Sequence, residues 1–459
     1  MGIKGRLMAI FLVLCAFAGL FYVGYTNMPV QVQVTDDVVE GVYPNKETIY
    51  FWYSDETMTD YLNSAAVSFG QLNDARVIPV LVSDSEFLEA INSATLYDTK
   101  TPDAYILSND VLERAYLAGY ADPIQDVAGV CNTAHFPQSA LSAVTYKDKL
   151  VAYPFYYETS AFLYNKTYLE KWTAEQLAGA GNQEEETITG GDYGSGEESD
   201  AVSMEQLLAG IPQTMGEVLV FAQNYDAPDN VEAVLRWDVS DIFYNYQFVG
   251  SHMTVGGENG DDPTELRLHN NEVKECLRVY QNLNQFFYIE SSTVSYESVV
   301  QDFIKGEIVF TIATTDVIAT LEQAKADGSF IYEYGIANIP RPTDELDGRS
   351  LSVTNCIAIN SYSTHRELAN KFAAYLTNEY HETLYSRTGK VSSNLAANLD
   401  NEHLQMFMEE YKTSYSLPKM IKTSNFWIRL EILFSQVWEG GDIDTLLRDM
   451  TNQIAQQLK

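Results

Sequence analysis

Positive charge is scarce in this sequence: 28 Lys and Arg residues stand against 64 Asp and Glu, a formal net charge of −36. A surface of that sign repels the phosphates of nucleic acid and of anionic lipid, so neither is an expected partner. Cysteine is scarcer still. Cys15, Cys131, Cys276 and Cys356 are spaced too widely for a zinc site or a disulfide framework. No metal is expected, and with Cys15 in an apolar N-terminal run at most one disulfide can form, free buried thiols being the alternative. The six histidines are scattered singly. There is no G-x-x-x-x-G-K phosphate loop, no G-x-G-x-x-G, no G-x-S-x-G and no H-E-x-x-H. The common nucleotide-binding, esterase and zinc-protease motifs are therefore missing, and no cofactor is expected. Two distant carboxylates acting on a glycosidic bond leave no local motif, so a glycoside hydrolase stays open.

Long apolar runs are also few, and the one that exists is at the start. Lys4 and Arg6, in a short cytoplasmic N-terminus (1–6), precede residues 7–25, a stretch without charge long enough to cross most or all of a bilayer. A lipoprotein signal would want a small residue before its cysteine, but Leu14 precedes Cys15. Cleavage after Ala16-Phe17-Ala18 would leave more of the run behind. The expectation is an uncleaved transmembrane anchor, then a tether over 26–46.

Core-forming residues are plentiful: 46% of the chain is hydrophobic and 12% aromatic, with 31 tyrosines. The length of 459 residues fits about two or three domains. "TIYFWYS" reads as a strand, and Met58, Tyr61, Leu62, Ala65 and Phe69 recur at helical spacing. "RVIPVLV", with Pro79 marking an edge, and "PDAYILSND" read as further strands around a helix carrying Phe87, Leu88 and Ile91. This alternation predicts an α/β fold with a largely parallel sheet. Asn271 is expected to cap a helix with the stripe Val273, Cys276, Leu277, Tyr280 and Leu283. Residues 176–206, rich in Gly, Glu and Ser, are expected to be a disordered acidic insertion, since they cannot build a core.

The segment "AYPFYYETSAFLYNK", residues 152–166, sets the single carboxylate of Glu158 among four tyrosines and two phenylalanines. It reads either as a tyrosine-rich crossover or as the wall of a binding site. Flat rings pack on the C–H faces of a sugar, and a carboxylate takes hydrogen bonds from its hydroxyls.

With "IYFWYSDET", "VTYKDKLVAYPFYYETSAFLYNK", "IPQTMGEVL", "FIKGEIVFTI", "YGIANIPRP" and "SNFWIRLEILFSQVWEGGDIDTLLRDM" in this order, the chain from about residue 48 onward resembles the extracellular solute-binding proteins of ABC importers, in the branch similar to maltose and maltodextrin binders. The resemblance implies a two-lobed periplasmic-binding-protein-like fold of type II with a hinge. Its N-lobe would be 47–157 with 342–390, and its C-lobe 158–341 with 391–459. It further implies that Glu158, Trp427, Asp241, Phe243, Asp110, Ser54, Glu56 and Tyr246 contact the ligand. At two positions where maltose binders carry Trp and Arg this chain has Leu107 and Val111, and Asp316 stands where they carry another Trp. Residue by residue, Trp427 also reads as a core residue, and Asp241 and Asp110 as helix caps. The function implied is a monomeric, non-enzymatic carbohydrate-binding protein at the extracellular face of the cell membrane, delivering an oligosaccharide to an ABC permease. A binder of another small solute in the same fold is the alternative.

Overall fold

Tyrosine accounts for much of the interior. In the computed structural model, which describes residues 46–83, 87–97, 100–184, 202–397, 399–420 and 425–458, eight tyrosines are fully buried: 61, 105, 153, 157, 246, 280, 411 and 415. Burying a phenol requires a partner for its hydroxyl, and most of these find a backbone carbonyl. Tyr61 donates to Tyr380 O at 2.9 Å, Tyr105 to Tyr120 O at 2.9 Å, and Tyr415 to Val255 O at 2.9 Å. Tyr411 pairs with Thr354 Oγ1 at 2.6 Å and stacks on Tyr157 with ring centroids 3.8 Å apart.

Ten strands form the main sheet: β1 (Glu47–Tyr53), β2 (Ala75–Leu81), β3 (Ala104–Ser108), β4 (Ala152–Asn165), β5 (Ala233–Leu235), β6 (Ile308–Thr314), β7 (Tyr334–Ala337), β8 (Leu351–Ile359), β9 (Val391–Ser392) and β10 (Tyr415–Ser416). The order is β2-β1-β3-β8-β4-β6-β5, with β7 and β9 also on β4 and β10 on β8. Pro79 lies in β2, at one end of this order, where its missing N–H is tolerated.

The sheet is mixed, which corrects the expected largely parallel one. β1 pairs parallel with β3, but β8 runs antiparallel to both β3 and β4, and β6 and β7 run antiparallel to β4. The local strand–helix rhythm gives the parallel pair correctly. It says nothing of strands returning from far along the chain, and β8 pairs with β4 across some two hundred residues.

β4, 14 residues long, pairs on both sides within the sheet. Its first part pairs with β8, with Glu158 opposite Val353, and with β9. Its second part pairs with β6, with Ser160 opposite Thr314. The aromatic segment is thus a crossover strand. Tyr153, Phe155 and Tyr157 are fully buried in the core, whereas Tyr156, also buried against that core, lines the cleft together with the half-buried Glu158.

Buried apolar side chains group in three clusters: one centred on β1, β4 and the helices beside them, one around Trp237, Tyr280 and Trp438, and a small one holding Trp52 and Tyr105. Cys131, Cys276 and Cys356 are buried free thiols, one in each cluster.

The helix Asn271–Phe287 buries the stripe expected from its periodicity, Val273, Cys276, Leu277, Tyr280 and Leu283. Its cap is Asn270 instead of Asn271. Of the two adjacent asparagines, Asn270 is the one whose side chain accepts from Val273 N, at 2.8 Å. Asn270→Ala should lower stability by about 1 kcal/mol, read as a shift in the urea midpoint at unchanged slope; an equal loss in Asn271→Ala would place the cap at 271 instead.

Of the expected insertion at 176–206, residues 176–184 continue the helix Lys166–Glu184, and Ser203 with Gln206 forms a capping box on the helix Met204–Ala209. Both parts are helical, the first as the end of a long helix and the second under its own capping box. Residues 185–201 lie outside the described residues, as do residues 1–45 with the expected anchor (7–25) and nearly all of the tether. Among the described residues no helix is long and apolar enough to cross a membrane.

Candidate ligand-binding cleft

The point where β4 passes from β8 to β6 opens onto a cleft of two adjoining basins, and Glu158 and Val353 line both. The first, about 790 Å³, is walled by the loop after β1 (Ser54, Asp55, Glu56), by Leu107 and Ser108 at the end of β3 and Val111 and Arg114 after it, and by Tyr156, Asn355 and Lys390. The second, about 410 Å³, is lined by Phe243, Tyr244, Tyr296 and Trp427 together with Glu158, Asp241 and Thr314. One basin is polar and holds charges of both signs; the other is lined by four aromatic and four aliphatic residues with Thr314, Glu158 and Asp241.

Six of the eight expected contacts meet here: Ser54, Glu56 and Glu158 in the first basin, and Asp241, Phe243 and Trp427 in the second with Glu158 shared. Asp241 caps its short helix, accepting from Phe243 N at 2.7 Å, and lines the basin as well. Trp427 is half-buried, packed edge-on against Phe426 and Tyr246 with centroids 4.9 and 5.7 Å away.

The structure does not bring the other two to the lining. Tyr246 is fully buried, its hydroxyl donating to Met253 O at 2.6 Å. It packs edge-on against Trp427, and Tyr244, two residues earlier and so on the opposite side of the short helix, lines the cavity instead. Asp110 accepts a hydrogen bond from Ser108 Oγ at the start of a short turn, and its neighbours Ser108 and Val111 face the basin in its place.

Sequence reasoning missed Lys390, Asp55, Asn355, Arg114, Tyr244 and Tyr296. Lys390 reaches from the segment just before β9 to Asp55 Oδ2 at 2.8 Å and lies 5.7 Å from the ring of Tyr156. Burial works to raise the Asp55 pKa, but Lys390 and the two hydrogen bonds from Thr57 outweigh it and hold the carboxyl below its ordinary range. Asp55 had a signal, standing between Ser54 and Glu56. Lys390 had none, since only strand pairing at β9 carries it to the cleft.

A profile of the bacterial extracellular solute-binding protein family matches residues 64–408. The chain belongs to that family. No curated protein matches it by sequence. Among solved structures, it is similar to an extracellular solute-binding protein of Staphylococcus aureus in complex with maltose, at 17% identity and a TM-score of 0.71, covering 90% of this chain and 98% of that one. A cyclo/maltodextrin-binding protein complexed with maltotetraose gives 17% identity, a TM-score of 0.70 and coverages of 90% and 98%. A maltose-binding periplasmic protein of Listeria monocytogenes in complex with maltose gives 19%, 0.69 and again 90% and 98%. The shared fold is the mixed α/β fold of periplasmic solute-binding proteins.

In this solute-binding protein the electrostatics of the cleft centre on Glu158. Its pKa is raised, first by burial and then by the charges of Asp316 and Asp55, with Lys390 working in the opposite direction. Asp241 is raised too, by burial and by Asp238, against the hydrogen bond from Phe243 N.

Proposed function

We propose that this protein captures an oligosaccharide of maltodextrin type in the cleft, outside the cell, and delivers it to an ABC permease without chemical change. The observation that carries this reading is the second basin, which Trp427, Tyr244, Tyr296 and Phe243 line beside Glu158 and Asp241. A pyranose offers the complement, apolar C–H faces and a rim of hydroxyl donors. The similarity to structures holding maltose and maltotetraose supports the same class.

On this reading residues 47–157 with 342–390, and 158–341 with 391–459, are two lobes that close on the ligand by hinge motion. β4 is one hinge strand, and the segments near 341 and 391 are the others. Residues 7–25 hold the protein at the extracellular face of the membrane, 26–46 act as tether, and the protein works as a monomer with transport energy supplied by a separate ATPase.

A thermal-shift panel of linear oligosaccharides differing in linkage and length tests the function. A specific binder should raise the melting temperature with the logarithm of ligand excess, about 2.7 kcal/mol of added stability at a hundredfold excess over Kd. No shift with any saccharide would overturn the reading, as would release of shorter sugars during incubation.

A further inference from the structure

The two basins differ in one respect that bears on ligand chemistry. The first contains Lys390 and Arg114 beside its acids. The second is lined by Glu158, Asp241 and four aromatic residues, and none of its described lining residues is a lysine or arginine. Further carboxylates surround it. Asp316 accepts a hydrogen bond at 3.2 Å from Tyr296, one of the lining rings, and also one from Thr314 Oγ1, another lining group. Glu431 and Asp238 act electrostatically on the Asp241 site. The cation that acts on Glu158 is Lys390, and its ammonium is already engaged by Asp55 at 2.8 Å. Glu158 itself accepts no hydrogen bond from any described residue.

Glu158 is half-buried and shares its one cation, Lys390, with Asp55, and a carboxylate partly withdrawn from water with only a shared counter-charge is costly. Hydroxyls relieve that cost in part, by donating hydrogen bonds. An ammonium relieves it more, bringing three donors together with a charge, and the surrounding ring faces attract a cation in their own right. A uronate or a sugar phosphate would instead place like charges together.

We propose that the oligosaccharide taken by this cleft carries a free, protonated amino group, seated in the second basin against Glu158 and Asp241 and enclosed by Trp427, Tyr244 and Tyr296. The ligand class is an amino sugar unit within or at the end of a short glycan. The proposal rests on the oligosaccharide reading above and narrows it.

Calorimetry on the protein in mildly acidic buffer, with saccharides in matched pairs, tests it. One pair is the tetramer of β-1,4-linked glucosamine against its N-acetylated counterpart. The other is maltotriose against maltotriose ending in a glucosamine unit. The amine-bearing member of at least one pair should bind about tenfold tighter or more, about 1.4 kcal/mol, and Glu158→Gln should shrink that preference while the variant melts as the parent does. Neutral members binding as well as or better than their amine partners would overturn the proposal and leave the oligosaccharide reading standing. A preference unchanged in Glu158→Gln would also overturn it. Failure of every saccharide, or binding of spermidine alone, would remove both.

Discussion

Raising the pH to about 11 is expected to unfold this protein in a single cooperative step. The eight fully buried tyrosines all have pKa values raised above the ordinary 10.0, in each case chiefly by burial. Below pH 10 they hold their protons in both states and contribute no pH dependence. Above it the unfolded chain alone gains by ionising, so stability falls by about 1.4 kcal/mol per pH unit for each buried phenol. At pH 11 eight such groups remove on the order of 10 kcal/mol, the size of a whole domain's stability. The loss runs on above that pH, since burial holds the folded-state values of these phenols higher still. Tyrosinate absorbance and far-ultraviolet circular dichroism, followed together through an alkaline titration, should move in one steep transition. A gradual tyrosinate curve centred near 10 with the dichroism intact would show that the phenols are accessible in the folded state.

Trp427→Ala should weaken oligosaccharide binding by about 1–3 kcal/mol, the scale of a lost stacking surface, while the protein stays folded. The half-buried ring rests on Phe426 and Tyr246, but those two are anchored independently: Phe426 is fully buried and Tyr246 is held by Met253. If Trp427 served only the core, its removal would cost about 3–5 kcal/mol of stability and the folded fraction would bind normally. Calorimetry with the tightest saccharide of the panel, beside melting curves, separates the two outcomes. Normal affinity in a well-folded variant would remove the second basin from the ligand site.

The sequence reveals one-dimensional patterns well and long-range pairings poorly, and particular residues show why. The stripe from Val273 to Leu283 is periodic, so its burial could be read directly; the cap slipped by one residue because two asparagines stand side by side. Glu158 was legible because a carboxylate among tyrosines is locally anomalous. Asn355 and Lys390 were not, since each is an ordinary polar residue until β8 and β9 pair with β4. Tyr246 was assigned to the cleft in place of Tyr244 because the pattern gives the turn but not its rotation. The antiparallel return of β8 has no local signature at all.

The buried thiols amount to a built-in set of unfolding reporters. Cys131, Cys276 and Cys356 sit in three separate apolar clusters, and burial raises the pKa of each, that of Cys276 to about 12. A thiol so held is inert towards alkylating reagents until its surroundings open. These three thiols therefore label at three rates, each set by the local opening of one cluster. Mass-resolved alkylation under gentle heating would rank the clusters by the order in which they give way, with no mutation and no added probe.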